Sequence, residues 1–239
     1  MNLFREPIEH LRSYLADAEN RNVLQCCSYN SFLTWPEESS LVLQENTAME
    51  LGGSEGSLLM ILWTEQAGIV RPGRISLAGP DLTETDQAGL PFTQIILARG
   101  AFGDEYETCQ TLQDALFDTR FRGVSTRFWP DRQKVWNRVS GEALAEGFTL
   151  MRCGGTLLKK LQTLPSVEEA EVIFSTESPH DQSLLAPAAQ KTQDIMEALL
   201  KIYEEINFDC ESCEYKEVCA EVAGLKEIHR RLHEEREQS

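Results

Sequence analysis

The chain has 239 residues, 41% hydrophobic and 26% charged, enough for one large domain or two small ones, and this composition excludes wholesale disorder or a fibrous repeat. Twenty-two Lys plus Arg against 39 Asp plus Glu give a net charge of −17. A field of that sign repels phosphate and argues against a nonspecific nucleic-acid binder or a protein of anionic membrane surfaces.

Pro7 falls at a first helical turn, and Ile8, Leu11 and Leu15 recur at helical spacing, predicting an amphipathic helix through about Ala18 and then a loop. Charge comes early, at Arg5 and Glu6, with no apolar signal region, so a cytoplasmic protein without a removed leader is expected. Apolar runs at 41–43, 57–64, 74–78 and 92–98, bounded by Gly, Pro, Asp and Asn, predict strands. Gly52-Gly53, Pro72-Gly73 and Gly79-Pro80 supply turns. The longest uninterrupted runs, 58–63 and 95–98, fall far short of the ~20 residues of a membrane-spanning helix.

Beyond Gly103, Tyr106, Leu112, Leu116 and Phe117 predict a helix ahead of an Arg-rich segment. Ser140 before Glu142 marks a helical start, 157–164 reads as a helix and 172–175 as a strand. Residues 183–206 are helix-forming, with Ile195, Leu199, Ile202 and Ile206 in one stripe, and Val218, Val222, Leu225, Ile228 and Leu232 predict a last helix. The expectation is an α+β fold with a mixed sheet and packed helices. It divides into an N-terminal helix and loop (1–38), an α+β domain (39–206) and a cysteine-bearing segment with a terminal helix (207–239).

Seven cysteines, an odd number, point away from a secreted disulfide framework and toward reduced thiols able to hold metal. Cys210, Cys213 and Cys219 form C-x2-C-x5-C in a stretch otherwise rich in Glu and Lys. The two-residue spacing lets a tight turn aim both sulfurs at one metal or one cluster edge, and a third sulfur closes a face. A tetrahedral zinc site or a cubane cluster wants one ligand more. Cys26 or Cys27 is the first candidate, only one of the two because adjacent side chains diverge; Cys109, Cys153, His229 and His233 follow. Both metals accept thiolates, so spacing does not choose between them. Burial as small hydrophobes, the alternative, explains little of three cysteines in ten residues.

Arg120, Arg122, Arg127, Arg132, Lys134 and Arg138 face only Asp131 within their own segment, which is +5 in a chain whose remainder is then −22. Such a concentration calls for an anion or for protein carboxylates, and guanidinium forks suit phosphate. Trp129 and Trp136, interleaved with these charges, offer flat faces for a purine or a guanidinium. An anionic ligand with phosphates and a base fits; salt bridges to the acidic surface, with the tryptophans in the core, are the alternative. Gly52-Gly53-Ser54-Glu55-Gly56 lacks the Lys and Ser/Thr of a phosphate loop, and Gly154-Gly155 reads as a turn or helix start. No Gly-x-Ser-x-Gly elbow occurs, and four histidines make a poor case for a Ser/His or Cys/His nucleophile.

Met49-Glu-Leu-Gly-Gly-Ser-Glu, Leu62-Trp-Thr-Glu, Gly73-Arg-Ile-Ser-Leu-Ala-Gly-Pro-Asp81, Phe128-Trp129, Trp136-Asn-Arg-Val-Ser140 and the Cys210, Cys213, Cys219 cluster occur in that order. With them the chain resembles, over about 48–219, acetyl-CoA synthase, the beta subunit of the carbon monoxide dehydrogenase/acetyl-CoA synthase complex. The resemblance implies an α+β domain that binds coenzyme A or acyl-CoA, implicating Trp129, Trp136 and Arg138. It also implies a [4Fe–4S] cluster whose first three cysteines match Cys210, Cys213 and Cys219, with a shorter gap before Cys219. The family's fourth cubane cysteine falls at Gly224-Leu225-Lys226, and neither its nickel-holding Cys-Gly-Cys nor its large N-terminal domain has a counterpart here.

The family's acyltransferase chemistry at nickel is therefore not expected from this chain. The expectation is an iron–sulfur protein with an accessory, electron-transferring or acyl/coenzyme A-binding role in anaerobic one-carbon metabolism. Its partner would be a carbon monoxide dehydrogenase-type or other redox subunit, with neither nucleic acid nor membrane. Two rivals stand beside it: a structural zinc-binding interaction module of a larger complex, and a residual acyltransferase completed by a partner's nickel.

Overall fold

The computed structural model describes residues 3–53, 56–129, 133–204, 215–222 and 224–237. In chain order the elements are α1 (Arg5–Asn20), β1 (Leu24–Ser28), β2 (Thr47–Leu51), β3 (Ser57–Thr64), β4 (Arg74–Ala78), β5 (Gly89–Leu90), β6 (Phe92–Gly100) and α2 (Glu105–Asp118). They continue with β7 (Val124–Trp129), β8 (Lys134–Ser140), α3 (Gly141–Ala145), α4 (Leu150–Leu161), β9 (Val167–Ser175), α5 (Pro179–Gln182), α6 (Ala186–Glu204), α7 (Lys216–Glu221) and α8 (Leu225–Glu237). The α+β expectation holds. Among the described residues no helix is long and apolar enough to cross a membrane.

Five strands form one mixed sheet in the order β1-β4-β9-β6-β3, with β3 parallel to β6, β4 parallel to β9 and the remaining pairs antiparallel. Strands β6, inside this sheet, and β3, at its edge beside the second sheet, are buried on both faces, which is why 57–64 and 92–98 read as nearly continuous apolar runs rather than as alternations. Helix α1 covers one face with Ile8, Leu11, Tyr14 and Leu15. Its polar residues reach back to β9 and the turn beyond it. Arg12 pairs with the buried Glu171, the Tyr14 hydroxyl lies 2.6 Å from Ser175 Oγ and donates to Glu177 at 2.6 Å, and Arg21 grips Glu177 through both Nη atoms at 2.5 and 3.1 Å. Burial, and then the bond to Glu177, hold the Tyr14 phenol well above its ordinary range.

On the other face α4 lies against β4 and β9 through Gly154 and against residues 31–33 through Gly155. A side chain at Gly154 would meet Ile75 Cγ2 at 2.7 Å, and one at Gly155 would meet the Leu33 carbonyl oxygen at 1.8 Å. The sequence reading of Gly154-Gly155 as a turn or helix start is thus corrected: the pair sits mid-helix, where closeness of approach outweighs helix propensity. The helix also begins earlier than the expected 157, at Leu150, because two caps start it. The Thr149 side chain accepts from Arg152 N, and buried Asp81, in the Gly79-Pro80-Asp81 turn, accepts from Leu150 N at 2.9 Å.

Other local expectations also shift. Residues 41–43 form no strand but an extended stretch before β2, and the residues after α1, expected as a loop, form β1, which pairs with β4. Sheet pairing made that strand from a five-residue stretch with no apolar alternation. The expected last helix is two, α7 and α8.

Four strands form a second sheet, β5-β2-β8-β7, with a β7–β8 hairpin built from the Arg-rich segment. Ser57 fastens it to β3: Ser57 Oγ accepts from Val135 N at 2.8 Å and donates to Val135 O, and Leu59 N donates to Gln133 O at 2.7 Å. Val135, Asn137 and Val139 of β8 are buried, while Lys134, Trp136, Arg138 and Ser140 take the opposite, outer face.

Two stability predictions follow from α4 and its cap. Gly155→Ala should cost at least about 2 kcal/mol, read by urea denaturation, because the new methyl would run into a backbone carbonyl that cannot rotate away. Burial raises the Asp81 carboxyl above its ordinary range, against the lowering effect of the Leu150, Leu82 and Met151 N–H groups. A carboxyl raised in the folded state stabilises fully below its unfolded value, and that contribution is lost as pH climbs through the folded one. Asp81→Asn should therefore gain stability relative to the native chain as pH rises above about 4; a difference independent of pH would show that ionisation of Asp81 carries no cost.

Candidate functional site

The outer face of the four-stranded sheet gathers the residues of the Arg-rich segment that lie at alternate positions on β7 and β8. Antiparallel register sets Arg127 opposite Trp136, Ser125 opposite Arg138 and Trp129 opposite Lys134, with Glu50 of β2 on the other flank of Arg138. Because both strands are pinned, these side chains form three successive rows along one surface.

Trp136 is the centre. The Arg138 guanidinium lies 4.5 Å from its ring centroid and the Arg127 guanidinium 5.3 Å. The quadrupole of one indole thus attracts two like charges. Glu50 Oε1 accepts from Arg138 Nε at 3.1 Å, so part of that positive charge is answered within the protein. The Trp136 indole N–H is buried and makes no hydrogen bond among the described residues; it faces Gly53 of the β2–β3 turn, where a Cβ would lie 3.3 Å from Nε1. Gly53 has a φ of +67°, which glycine adopts without strain. Trp129 is 39% exposed at the far end of the face. Arg127, Lys134 and Arg138 against Glu50 leave a net positive surface carrying two indoles, one of them open to solvent.

The remaining arginines of the segment go elsewhere. Arg120 donates to the Phe117 carbonyl at the end of α2, and Arg122 pairs with Glu146 and lies 5.6 Å from the Trp35 ring, whose other guanidinium neighbour is Arg152 at 4.8 Å. Arg132 lies outside the described residues. Salt bridges therefore account for Arg122 and for part of Arg138, whereas among the described residues Arg127 is placed against the Trp136 ring. Glu50 and Gly53 belong to the surface although sequence reasoning did not assign them to the site, and Lys134, counted there only as part of the basic segment, takes its place on it through the period-two spacing Lys134, Trp136, Arg138.

Among the sulfur candidates, Cys210 and Cys213 lie outside the described residues, as do the side chains of His229 and His233. Cys219 is half-buried on α7, which packs on α6; Lys191 Nζ of α6 reaches Glu221 at 2.6 Å, and α6 in turn lies against β3. Cys26 and Cys27 sit on β1, at the opposite edge of the five-stranded sheet. Cys26 Sγ accepts from Arg74 Nη2 at 2.9 Å, and Cys27 turns to the other side of the strand, toward Met151 Sδ at 3.5 Å. Burial raises the Cys27 thiol and pushes Cys109 up to about 12, and it raises Cys153 further still.

The family model of the CO dehydrogenase/acetyl-CoA synthase complex beta subunit (CdhC) matches residues 37–180, a span that contains every residue of the Arg/Trp face. No curated protein matches the chain.

Because Arg127 and Arg138 stand on a solvent-facing surface, Arg127→Gln and Arg138→Gln should each change stability by less than about 1 kcal/mol in urea unfolding. A larger loss would assign these arginines to holding the sheet rather than to a ligand.

Proposed function

The chain belongs to the CO dehydrogenase/acetyl-CoA synthase complex beta-subunit family, and from that footing we propose that its Arg/Trp face binds coenzyme A or an acyl derivative by the nucleotide end. The observation that carries the reading is Trp136 set between Arg127 and Arg138, with an indole N–H that has no acceptor among the described residues. Guanidinium groups flanking a ring suit phosphates beside a base: the forks take phosphate oxygens, and the exposed Trp129 offers a stacking surface. Lys134 adds a point charge on the row of Trp129.

The proposal extends to a metal. Cys210, Cys213 and Cys219 form a donor set of three thiolates, the ligand type of an iron–sulfur cluster, and such a cluster would supply one-electron transfer when bound. Cys26 and Cys27 stand on β1 at one edge of the five-stranded sheet, and Cys219 stands on α7, which packs on α6 against β3 at the other. The role that joins the two parts is accessory: holding an acyl carrier, and passing electrons, beside a carbon monoxide dehydrogenase-type subunit.

Calorimetric titration with coenzyme A should show binding that weakens as salt is raised. Arg138→Ala and Trp129→Ala should each reduce the affinity about fivefold or more. Unchanged affinity in both variants would return the patch to intramolecular salt bridging. Elemental analysis of anaerobically purified protein should find iron with inorganic sulfide; a single zinc without visible absorption would replace the electron-transfer role with a structural module.

A further inference from the structure

Past Arg138 the outer face of the four-stranded sheet runs into a cleft of about 640 Å³, walled on one side by residues 38–46 and on the other by α3. Ser40, Leu41, Val42, Asn46, Ser140 and Glu142 line it. We infer that this cleft is the seat of an uncharged, amide-bearing arm of the ligand, of the pantetheine type, whose anionic nucleotide end rests on the Trp136 rows. This deepens the coenzyme A reading above and rests on it.

Continuity is the first argument. Ser140 is two residues beyond Arg138 on the same strand and the same face, and Thr47 stands beside it on β2. The cleft wall is fastened to the rows themselves: Ser125, directly opposite Arg138, accepts from Val42 N at 2.6 Å and donates to the Ser40 carbonyl at 3.1 Å. From Trp136 to Ser140 is four residues, about 14 Å along a strand. An extended chain of two amide units with its flanking methylenes covers about the same distance.

Charge is the second. The rows carry Arg127, Lys134 and Arg138 against Glu50, whereas the cleft carries Glu38, Glu142 and Glu146 against Arg122, which Glu146 already engages. The sign of the surface therefore reverses along the strands. A phosphate is drawn to one end and repelled from the other, while a neutral arm meets no such penalty in the cleft.

The lining supplies the third. Leu41 is 83% exposed, an apolar side chain left open at the cleft, with Val42 next to it. Methylenes and geminal methyl groups would cover it. The hydroxyls of Ser40 and Ser140 each accept one backbone N–H, from Gly123 at 2.9 Å and Ala143 at 3.1 Å, and each keeps a proton to donate to an amide carbonyl. Asn46 brings both a donor and an acceptor.

The test compares coenzyme A with adenosine 3′,5′-bisphosphate, the nucleotide end alone, by calorimetry on the full chain. Coenzyme A should bind about tenfold tighter than the bisphosphate, and Leu41→Glu and Asn46→Ala should each remove most of that advantage while leaving bisphosphate affinity unchanged. Both positions lie outside the Arg/Trp rows, and Leu41 is exposed enough to be replaced without disturbing the core. Equal affinity for the two probes, or full coenzyme A affinity in both variants, would overturn the cleft assignment and leave the nucleotide site standing. Failure of the native chain to bind either probe would overturn the nucleotide site, and the cleft with it.

Discussion

Strand β8 is constrained from three directions: it pairs with β2 on one flank and β7 on the other, and Ser57 of β3 holds both backbone groups of Val135. Because side chains alternate with period two, a slip of one residue would carry Val135, Asn137 and Val139 into water and Lys134, Trp136 and Arg138 into the core. Burial of the inner set is what forces the outer set onto a common surface. The candidate site is thus a product of hydrophobic register. Its basic residues converge because they have no other face to occupy.

A local positive surface on a chain of net charge −17 follows from the short reach of charge in salt solution. At physiological ionic strength, exposed charges more than about 8 Å apart are largely screened, so distribution matters more than total. Here Arg127 and Arg138 share one indole, Glu50 answers one of them, and the acids of the neighbouring cleft lie one row further on. The ring lets two guanidiniums lie close without a carboxylate for each. A surface stabilised in this way keeps part of its attraction for an incoming anion.

The rest of the molecule is fastened by buried carboxylates. Glu171 and Glu177, in and just after β9, hold Arg12 and Tyr14 of α1 and Arg21 at its end, and Asp81 starts α4 on the opposite face. Burial raises the Glu171 carboxyl, and Arg12 opposes that shift most strongly among its neighbours. Removing one member of such a pair costs more than the pair itself contributes, because the survivor is left charged and dry. These contacts keep both helices tight on the five-stranded sheet, to which Ser57 then couples the sheet that bears the ligand face.

Periodicity by itself determined α1, α2, β3, β4 and β6, since each is long enough, or apolar enough, for its own pattern to decide. Composition and spacing also marked the Arg/Trp segment and the Cys210, Cys213, Cys219 cluster as the chemistry-bearing stretches. Tertiary structure decided what pairing and packing create: β1 from residues without alternation, a helix running through Gly154 and Gly155, and an extended stretch, not a strand, at 41–43. It also sorted the arginines, sending Arg127 and Arg138 to Trp136 but Arg122 to Glu146 and Arg120 to a helix end. Local sequence records how often a residue type recurs, whereas which strand edge lies alongside is set by contacts between residues far apart in the chain. For that reason the cleft beside Ser140 emerges only when residues 38–46 and α3 are brought to the same end of one sheet.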